Sequence, residues 1–183
     1  QAGDKGYELT EELGIPLVIM EPVKGGSLAT LPDAVTEPQD YKPNASISSW
    51  ALRWVASKPN VKVVLSGMTT MEQVEDNLNT FENFTPLNLK EKEIVADVAS
   101  AIKQRTKNGC TGCAYCMPCP FGVNIPQNFR IWNDLSMYEN KEQAKRAYFN
   151  DLAEDARADQ CQKCGKCEEV CPQAMSIRMI WNA

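Results

Sequence analysis

Two short cysteine runs near the end of the chain are the residues best suited to carry chemistry. The first run, CTGCAYCMPCP, extends from Cys110 to Pro120, and the second, CQKCGKCEEVCP, extends from Cys161 to Pro172. Each has three cysteines separated by two residues and a fourth cysteine before proline, which is the ligand spacing of an iron–sulfur cluster. All 8 cysteines lie in these runs, so the thiolate count predicts two 4Fe–4S clusters and single-electron transfer.

The fourth cysteine of each run is predicted to bind the cluster held mainly by the other run, as in two-cluster ferredoxins. The hypothesis assigns one cluster to Cys110, Cys113, Cys116 and Cys171, and the second to Cys119, Cys161, Cys164 and Cys167. The first run has only Met117 and Pro118 between its last two cysteines, where the usual run has three residues. Two roles therefore stay open for Cys119: it binds the cluster of its own run with altered geometry, or it binds the other cluster.

Zinc and disulfides are the competing interpretations of the cysteines. C-x-x-C pairs also bind zinc, and eight thiolates could form two tetrahedral sites, although zinc sites usually use separated pairs rather than triplets. Cysteines two residues apart are poorly placed to form unstrained disulfides. The chain contains no histidine, which excludes mixed Cys/His zinc sites and Rieske-type centres.

The composition restricts the classes of partner and the cellular compartment that we expect for this protein. The 183 residues carry a net charge of -5 at pH 7 without a basic stripe, which argues against nucleic acid as a partner. No apolar stretch approaches about twenty residues, so no membrane span is expected. The N-terminus lacks both methionine and the features of a signal peptide, so we expect a processed or cut chain. Thiolate metal ligands without such a signal predict a reducing, cytoplasmic location.

The first half of the chain alternates strand and helix patterns. Short apolar runs predict strands at residues 14–20 and 61–67, the first buried on both faces. Helical spacing predicts helices at residues 44–56, capped by Asn44, and 71–81. The second of these carries an apolar stripe of Met71, Val74, Leu78 and Phe81. This order implies parallel strands, and two such strands need further layers, so we interpret the segment as the end of a larger α/β domain.

The second half is predicted to be mostly helical. Helices are expected at residues 89–106, 127–138 and 141–157. The first of them would join two domains, residues 1–104 and residues 105–183. Bulky side chains between the cysteine runs are expected to cover the clusters: Phe129, Ile131, Trp132, Leu135 and Tyr138. The predicted fold class is therefore α/β followed by mostly α.

Three segments in the first half resemble the C-terminal end of an aldo/keto reductase. They are Ile19–Leu28 (IMEPVKGGSL), Trp50–Val55 (WALRWV) and Val63–Leu78 (VVLSGMTTMEQVEDNL), in the order and spacing of that family. With the cysteine region added, the chain resembles aldo/keto reductases that carry a C-terminal ferredoxin-like extension. The resemblance implies strands 7 and 8, with their helices, of a (β/α)8 TIM barrel, followed by a helical two-cluster ferredoxin-like domain. It also implies that the N-terminal half of the barrel is a missing partner of this segment.

The resemblance further implies a nicotinamide cofactor, NAD(P), in the intact protein. By position, the adenosine-binding turn of the family matches Gly67, Met68, Gln73, Asp76 and Asn77. Relatives that prefer the 2′-phosphorylated cofactor often have Lys or Arg in this turn, where this sequence has Gly67 and Gln73. The family's catalytic Asp, Tyr, Lys and His come from the first half of the barrel, so no catalytic residue can be assigned here.

The leading hypothesis is therefore a fragment of an iron–sulfur oxidoreductase. In it, a nicotinamide-dependent barrel would act on a small carbonyl or alcohol substrate, and two 4Fe–4S clusters would exchange single electrons with a redox partner protein. Two alternatives remain: a pure electron-transfer module in which the barrel remnant only docks, and a structural zinc or metal-binding domain.

Overall fold

The structure is a computed structural model of the chain, and it describes residues 3–82 and 84–180. The chain divides into two units, Gln1–Ala101 and Ile102–Ala183. Among the helices of the described residues, none combines the length and the apolar character that crossing a bilayer requires.

The first unit combines a two-stranded parallel sheet with α-helices. Its helices are α1 (Gly3–Glu12), α2 (Glu37–Tyr41), α3 (Ile47–Ala56), α4 (Met71–Glu82) and most of α5 (Leu89–Gln104), whose last three residues belong to the second unit. Its strands are β1 (Leu17–Ile19) and β2 (Val61–Val64). The strands run parallel, with Val18 opposite Val63, and the helices α2 and α3 lie in the connection that parallel pairing demands. The parallel pairing predicted from the element order is confirmed.

The prediction that the first strand is buried on both faces is wrong for this unit. Val18 is 58% exposed and Val63, opposite it, is 45% exposed. The apolar stripe of α4 is also largely open, since Met71, Leu78 and Phe81 all count among the exposed side chains. A two-stranded sheet has two open edges, and this unit has too few helices to cover both faces of the sheet. The apolar residues of the strands and of α4 are therefore spaced for burial, but the first unit alone does not bury them.

Helix α3 contributes the best-buried part of the first unit. Trp50, Leu52 and Val55 are all buried. The helix begins later than predicted, because its N-cap is Ser46, whose hydroxyl accepts a hydrogen bond of 3.0 Å from the Ser49 N–H. Asn44 lies in the preceding turn. The extended backbone of Ser46 (φ -67, ψ 153) gives its side chain the geometry of a cap.

The second unit is built around one long helix. Its helices are α6 (Ile125–Tyr138), α7 (Lys141–Arg146), α8 (Lys166–Glu169) and α9 (Ile177–Ile180). The side-chain oxygen of Asn124 caps α6 by accepting a hydrogen bond from the Gln127 N–H. Ile125 and Phe129 are almost completely buried on one face of α6. This helix lies in sequence between the two cysteine runs and carries most of the apolar cover predicted for them.

The single helix predicted at residues 141–157 is wrong. The α-helix ends at Arg146, one wider π-turn follows at Ala147–Asp151, and Leu152 is extended (φ -96, ψ 125). The guanidinium of Arg157 donates hydrogen bonds to the carbonyls of Tyr148 and Phe149 at 3.1 and 2.8 Å. The side chain of Arg157 thus replaces the N–H groups that the next turn of helix would supply to these carbonyls. The helix can end here because the carbonyls still have hydrogen-bond donors.

Candidate functional site

Both cysteine runs fold as tightly curved loops. Their backbone takes left-handed φ values at Gly112, Ala114, Lys163 and Gly165. In the first loop the Met117 N–H donates to the Ala114 carbonyl at 2.9 Å. These turns bend the chain back on itself, so that cysteines two or three residues apart can face one volume. Neither loop requires a regular helix or strand to hold its cysteines in sequence.

Two cavities are lined by cysteines from both runs. One is lined by Cys110, Cys113, Cys116 and Cys171. The other is lined by Cys119, Cys161, Cys164 and Cys167, and Cys116 lines this cavity as well. In each cavity, three cysteines of one run meet the cysteine that precedes proline in the other run. The structure therefore brings together the two sets that the crossed hypothesis named, across about forty intervening residues.

The two cavities differ in size and in character. The one with Cys119 has a volume of about 190 Å³ and opens beside the exposed side chains of Tyr115 and Phe121. The one with Cys171 has a volume of only about 20 Å³ and is bordered by Ile125 and Phe129.

A small apolar core holds these cavities. Val123, Ile125, Phe129 and Ile177 form a buried cluster, each no more than 2% exposed. Five cysteines pack against this cluster: Cys110, Cys116, Cys119, Cys167 and Cys171. Trp132 packs there as well, so the cover predicted from α6 is confirmed for Phe129 and Trp132. Apolar surroundings of this kind exclude water from metal–thiolate sites and influence their potential.

Burial changes the acidity of the innermost thiols. It raises the pKa of Cys116, and the neighbouring sulfurs of Cys110, Cys113 and Cys171 raise it further. Burial, the Glu168 carboxylate and the sulfurs of Cys161 and Cys116 raise the pKa of Cys167 to about 11. Thiols crowded in this way stay protonated at neutral pH until a cation compensates their charge, so binding of a metal centre would release protons.

The donor set fits an iron–sulfur cluster. All eight cysteines are free thiols, and none forms a disulfide. Within residues 3–82 and 84–180, no three Cys, Asp or Glu side chains are arranged to hold one metal ion. The thiols instead surround two separate volumes, and four thiols with no histidine are the donors of a 4Fe–4S cluster.

A further cleft lies in the first unit, at the carboxyl ends of β1 and β2. Its volume is about 560 Å³. The five residues predicted to bind the nicotinamide cofactor all line it: Gly67, Met68, Gln73, Asp76 and Asn77. The loop after β1 forms the opposite wall with Glu21, Gly25 and Gly26. Parallel strands bring their following loops to one edge, which is where α/β proteins bind ligands.

Hydrogen bonds hold the polar side chains of this cleft in fixed positions. Asp76 accepts a hydrogen bond of 2.6 Å from the Ser46 hydroxyl at the start of α3. The Asn77 amide donates to the Ser66 hydroxyl at 3.0 Å. The Gln73 side-chain oxygen accepts the Thr69 N–H at 2.7 Å. The turn between β2 and α4 is therefore ordered by its own side chains, while Met68 stays 43% exposed in the cleft.

Two lining residues were missed by the sequence analysis. Ser48, in the first turn of α3, lines the cleft of the first unit. Arg178, in α9, lines the cavity that holds Cys119. Each lies in an element outside the motifs that drew attention to these sites, and no local spacing marks either residue. Only the packing of α3 and of α9 brings them to the two sites.

Two family models match the chain. A family model described as "4Fe-4S dicluster domain" matches residues 109–176, and one described as "Aldo/keto reductase family" matches residues 4–99. Together they define an iron–sulfur oxidoreductase with a metal-binding, electron-transfer domain. The second match covers more than half of the chain, and the chain therefore belongs to the aldo/keto reductase family. A search of curated proteins and a search of solved structures each found no match.

Proposed function

We propose that the second unit binds two 4Fe–4S clusters with the crossed set of ligands. Cys110, Cys113, Cys116 and Cys171 hold what we call cluster A, and Cys119, Cys161, Cys164 and Cys167 hold cluster B. The observation that carries this proposal is the pair of cavities, in each of which three thiols of one run meet the thiol before proline in the other run. When bound, such clusters carry one electron each. Eight free thiols suit a reducing compartment, so we place the protein in the cytoplasm.

Iron counting tests both the clusters and their pairing. Anaerobically purified protein should contain about eight iron and eight sulfide per chain, as two cubanes require. The double variant Cys113→Ala/Cys171→Ala should keep about four iron, because both changes fall on cluster A. The matched double variant Cys113→Ala/Cys119→Ala should lose nearly all iron, because it damages both clusters. The reverse pattern would establish uncrossed pairing, and stoichiometric zinc without iron would overturn the cluster proposal.

We also propose that the cleft of the first unit binds a nicotinamide dinucleotide in the intact protein. The support is its position beyond the strand ends, together with the turn at residues 66–70 that leads into α4. The first N–H groups of a helix favour an anionic group such as a pyrophosphate. None of the described residues lining the cleft is Lys or Arg, whereas Glu21 and Asp76 are present. A 2′-phosphate would therefore be disfavoured, and we expect NAD to bind better than NADP.

Calorimetric titration of the intact protein, in which the rest of the barrel is present, with NADH and NADPH tests this part of the proposal. NADH should bind, and NADPH should bind at least about tenfold more weakly, which corresponds to about 1.4 kcal/mol. Gln73→Ala should weaken NADH binding, whereas Glu75→Ala, on the same helix but outside the cleft lining, should leave it unchanged. If neither dinucleotide binds to protein that carries the missing barrel segments, the electron-transfer module becomes the better assignment.

In the intact protein, the barrel and the clusters would together couple substrate oxidation or reduction to an external carrier. A nicotinamide carries a hydride, which is an electron pair, and the conversion to single electrons usually needs a further group such as a flavin. The substrate class implied by the family is a small carbonyl compound or alcohol. Tyr115 and Phe121 leave the cluster B cavity with an exposed aromatic border, where a redox partner protein can approach.

The remaining part of a barrel is the partner that best suits the first unit. Val18 and Val63 expose an apolar sheet face, and Met71 and Leu78 expose an apolar helix stripe. Apolar surface of this extent is normally covered. Neighbouring strands and helices of a barrel would cover both surfaces at once. Coexpression with the N-terminal segments should therefore reduce the exposure of Met71 to oxidation, and unchanged oxidation would contradict the proposal.

A further inference from the structure

Arg178 lies against the loop that holds two of the cluster B cysteines. It lines the cavity with Cys161, Cys164 and Cys167. Its guanidinium carbon is 3.2 Å from the point where a Cβ atom would stand on Gly165. Gly165 has a φ of +83, so this position needs glycine both for its backbone conformation and for the approach of the guanidinium. A cation is therefore held at the turn between Cys164 and Cys167.

Glu168 holds Arg178 in this position. Its carboxylate accepts hydrogen bonds from Nε and Nη2 of Arg178 at 3.0 and 2.7 Å, and from the Arg178 N–H at 2.7 Å. The hydrogen bond with Glu168 raises the pKa of Arg178, and the nearby sulfurs of Cys167 and Cys164 add to the effect. Two hydrogen bonds hold the guanidinium on one carboxylate oxygen of Glu168, and a third holds the main chain of Arg178 on the other oxygen. The charge is therefore kept in one place, beside the sulfurs of this loop.

The two cavities are electrostatically unequal. Among the described residues that line the cluster A cavity, no side chain other than the cysteines can carry a charge. The cluster B cavity has Arg178 and Lys166 in its lining. The backbone adds positive character at the cluster B cysteines, because the Lys163 N–H donates a hydrogen bond to the Cys161 sulfur at 3.4 Å. The Cys110 N–H, in the first run, donates to the side-chain oxygen of Asn108 and not to a sulfur.

We propose that Arg178, held by Glu168, is a positioning residue that makes cluster B the more easily reduced of the two clusters. This inference rests on the proposed function. Reduction adds one negative charge to a cluster, and nearby positive charge and hydrogen bonds to sulfur both favour the reduced form. The Glu168 carboxylate brings a negative charge that opposes this effect. Glu168→Gln removes that charge but keeps a side-chain oxygen that can accept hydrogen bonds from Arg178, so Arg178→Gln and Glu168→Gln should shift the potential in opposite directions. Cluster A, with an apolar lining, keeps the lower potential.

A potentiometric titration followed by electron paramagnetic resonance tests the proposal on the full chain with both clusters bound. In Arg178→Gln, the higher of the two reduction steps should become about three- to tenfold less favourable, or about 30–60 mV lower at 59 mV per tenfold. The lower step should not move. Arg178→Lys should recover part of the shift, because it keeps the charge without the planar fork. Glu168→Gln should raise the higher potential.

Arg146→Gln is the matched control. Arg146 lies in the same unit, pairs with Asp151 and lines neither cavity, so its removal changes the net charge equally and should move neither step. The proposal is overturned if Arg178→Gln shifts both steps equally, shifts the lower step only, or shifts neither, even where the iron content falls. Should Arg178→Gln fail to fold, a Glu168→Gln protein with unchanged potentials overturns it. Two reduction steps in the unaltered protein are the separate requirement of the two-cluster proposal.

Discussion

Glu91 is the clearest case of a single residue whose environment contradicts its type. It is 1% exposed, yet it accepts hydrogen bonds from Arg53 at 2.8 and 2.9 Å and contacts the Lys42 ammonium at 2.5 Å. The Asn88 N–H adds a further bond of 2.9 Å. Burial alone raises the pKa of Glu91, but these donors outweigh it and lower the pKa from 4.5 to about 2.

We therefore expect the titration of Glu91 to make the free energy of unfolding depend on pH. Its folded-state pKa lies below the unfolded value, so its contribution is complete above pH 4.5 and is lost as the pH falls toward about 2. The contribution at neutral pH is on the order of 3 kcal/mol. Glu91→Gln should lower the free energy of unfolding by a similar amount at pH 7, and the difference from the unaltered protein should shrink between pH 4.5 and 2.

Denaturant unfolding of both proteins across this pH range measures the effect. Glu93→Gln is the matched control on the same helix, because Glu93 forms an exposed pair with Lys90 at 3.3 Å, and exposed pairs contribute little. A difference between Glu91→Gln and the unaltered protein that stays constant from pH 7 to pH 2 would falsify the linkage.

At the scale of elements, the start of α6 positions the buried residues at the beginning of this helix. The Asn124 side chain caps this helix through the Gln127 N–H at 3.2 Å, directly before the buried Ile125. We expect Asn124→Ala to lower the free energy of unfolding by about 1 kcal/mol, since it leaves a helix N–H without its acceptor. Asn124→Asp keeps a good cap and should be nearly neutral. Thermal unfolding of the cluster-loaded protein compares the two, and equal losses would show that the cap is not the cause.

The elements also show where local pattern is a poor guide. The apolar spacing of residues 141–157 suits a helix. The Arg157 guanidinium instead donates hydrogen bonds to the carbonyls of Tyr148 and Phe149, and the helix ends early. The competing interaction joins residues eight or nine positions apart, beyond the reach of helical periodicity. The same holds for Asn128, whose side chain donates to the Ala156 carbonyl at 2.9 Å and so fixes this segment beside α6.

At the scale of the whole molecule, the two units should respond differently to loss of the clusters. In the second unit, the apolar cluster at the cysteine runs consists of four buried side chains, and five cysteines pack against it. Where so little apolar surface is buried, metal binding supplies folding free energy directly. Removing iron under anaerobic conditions should therefore abolish amide-exchange protection in α6, while α3, buried through Trp50 and Leu52, keeps its protection.

Hydrogen exchange on the full chain, with and without iron, measures both units in one sample. The internal comparison between α6 and α3 controls for general damage during removal of the iron. Protection of α6 that survives complete loss of iron would show that the second unit folds without its clusters. Equal loss in α3 and α6 would show instead that the two units unfold as one.

The spacing of the cysteines, the absence of histidine and the order of the three segments at 19–78 identified the chemistry and the family from the sequence alone. These signals are local, because ligand type and loop spacing are carried by neighbouring residues. Only the tertiary structure decided which cysteines share a cavity, that Ser46 rather than Asn44 caps α3, and that Arg178 lies against the loop of Gly165. Each of these depends on contacts between residues far apart in the chain or on the backbone conformation at one position, and neither is encoded in local periodicity.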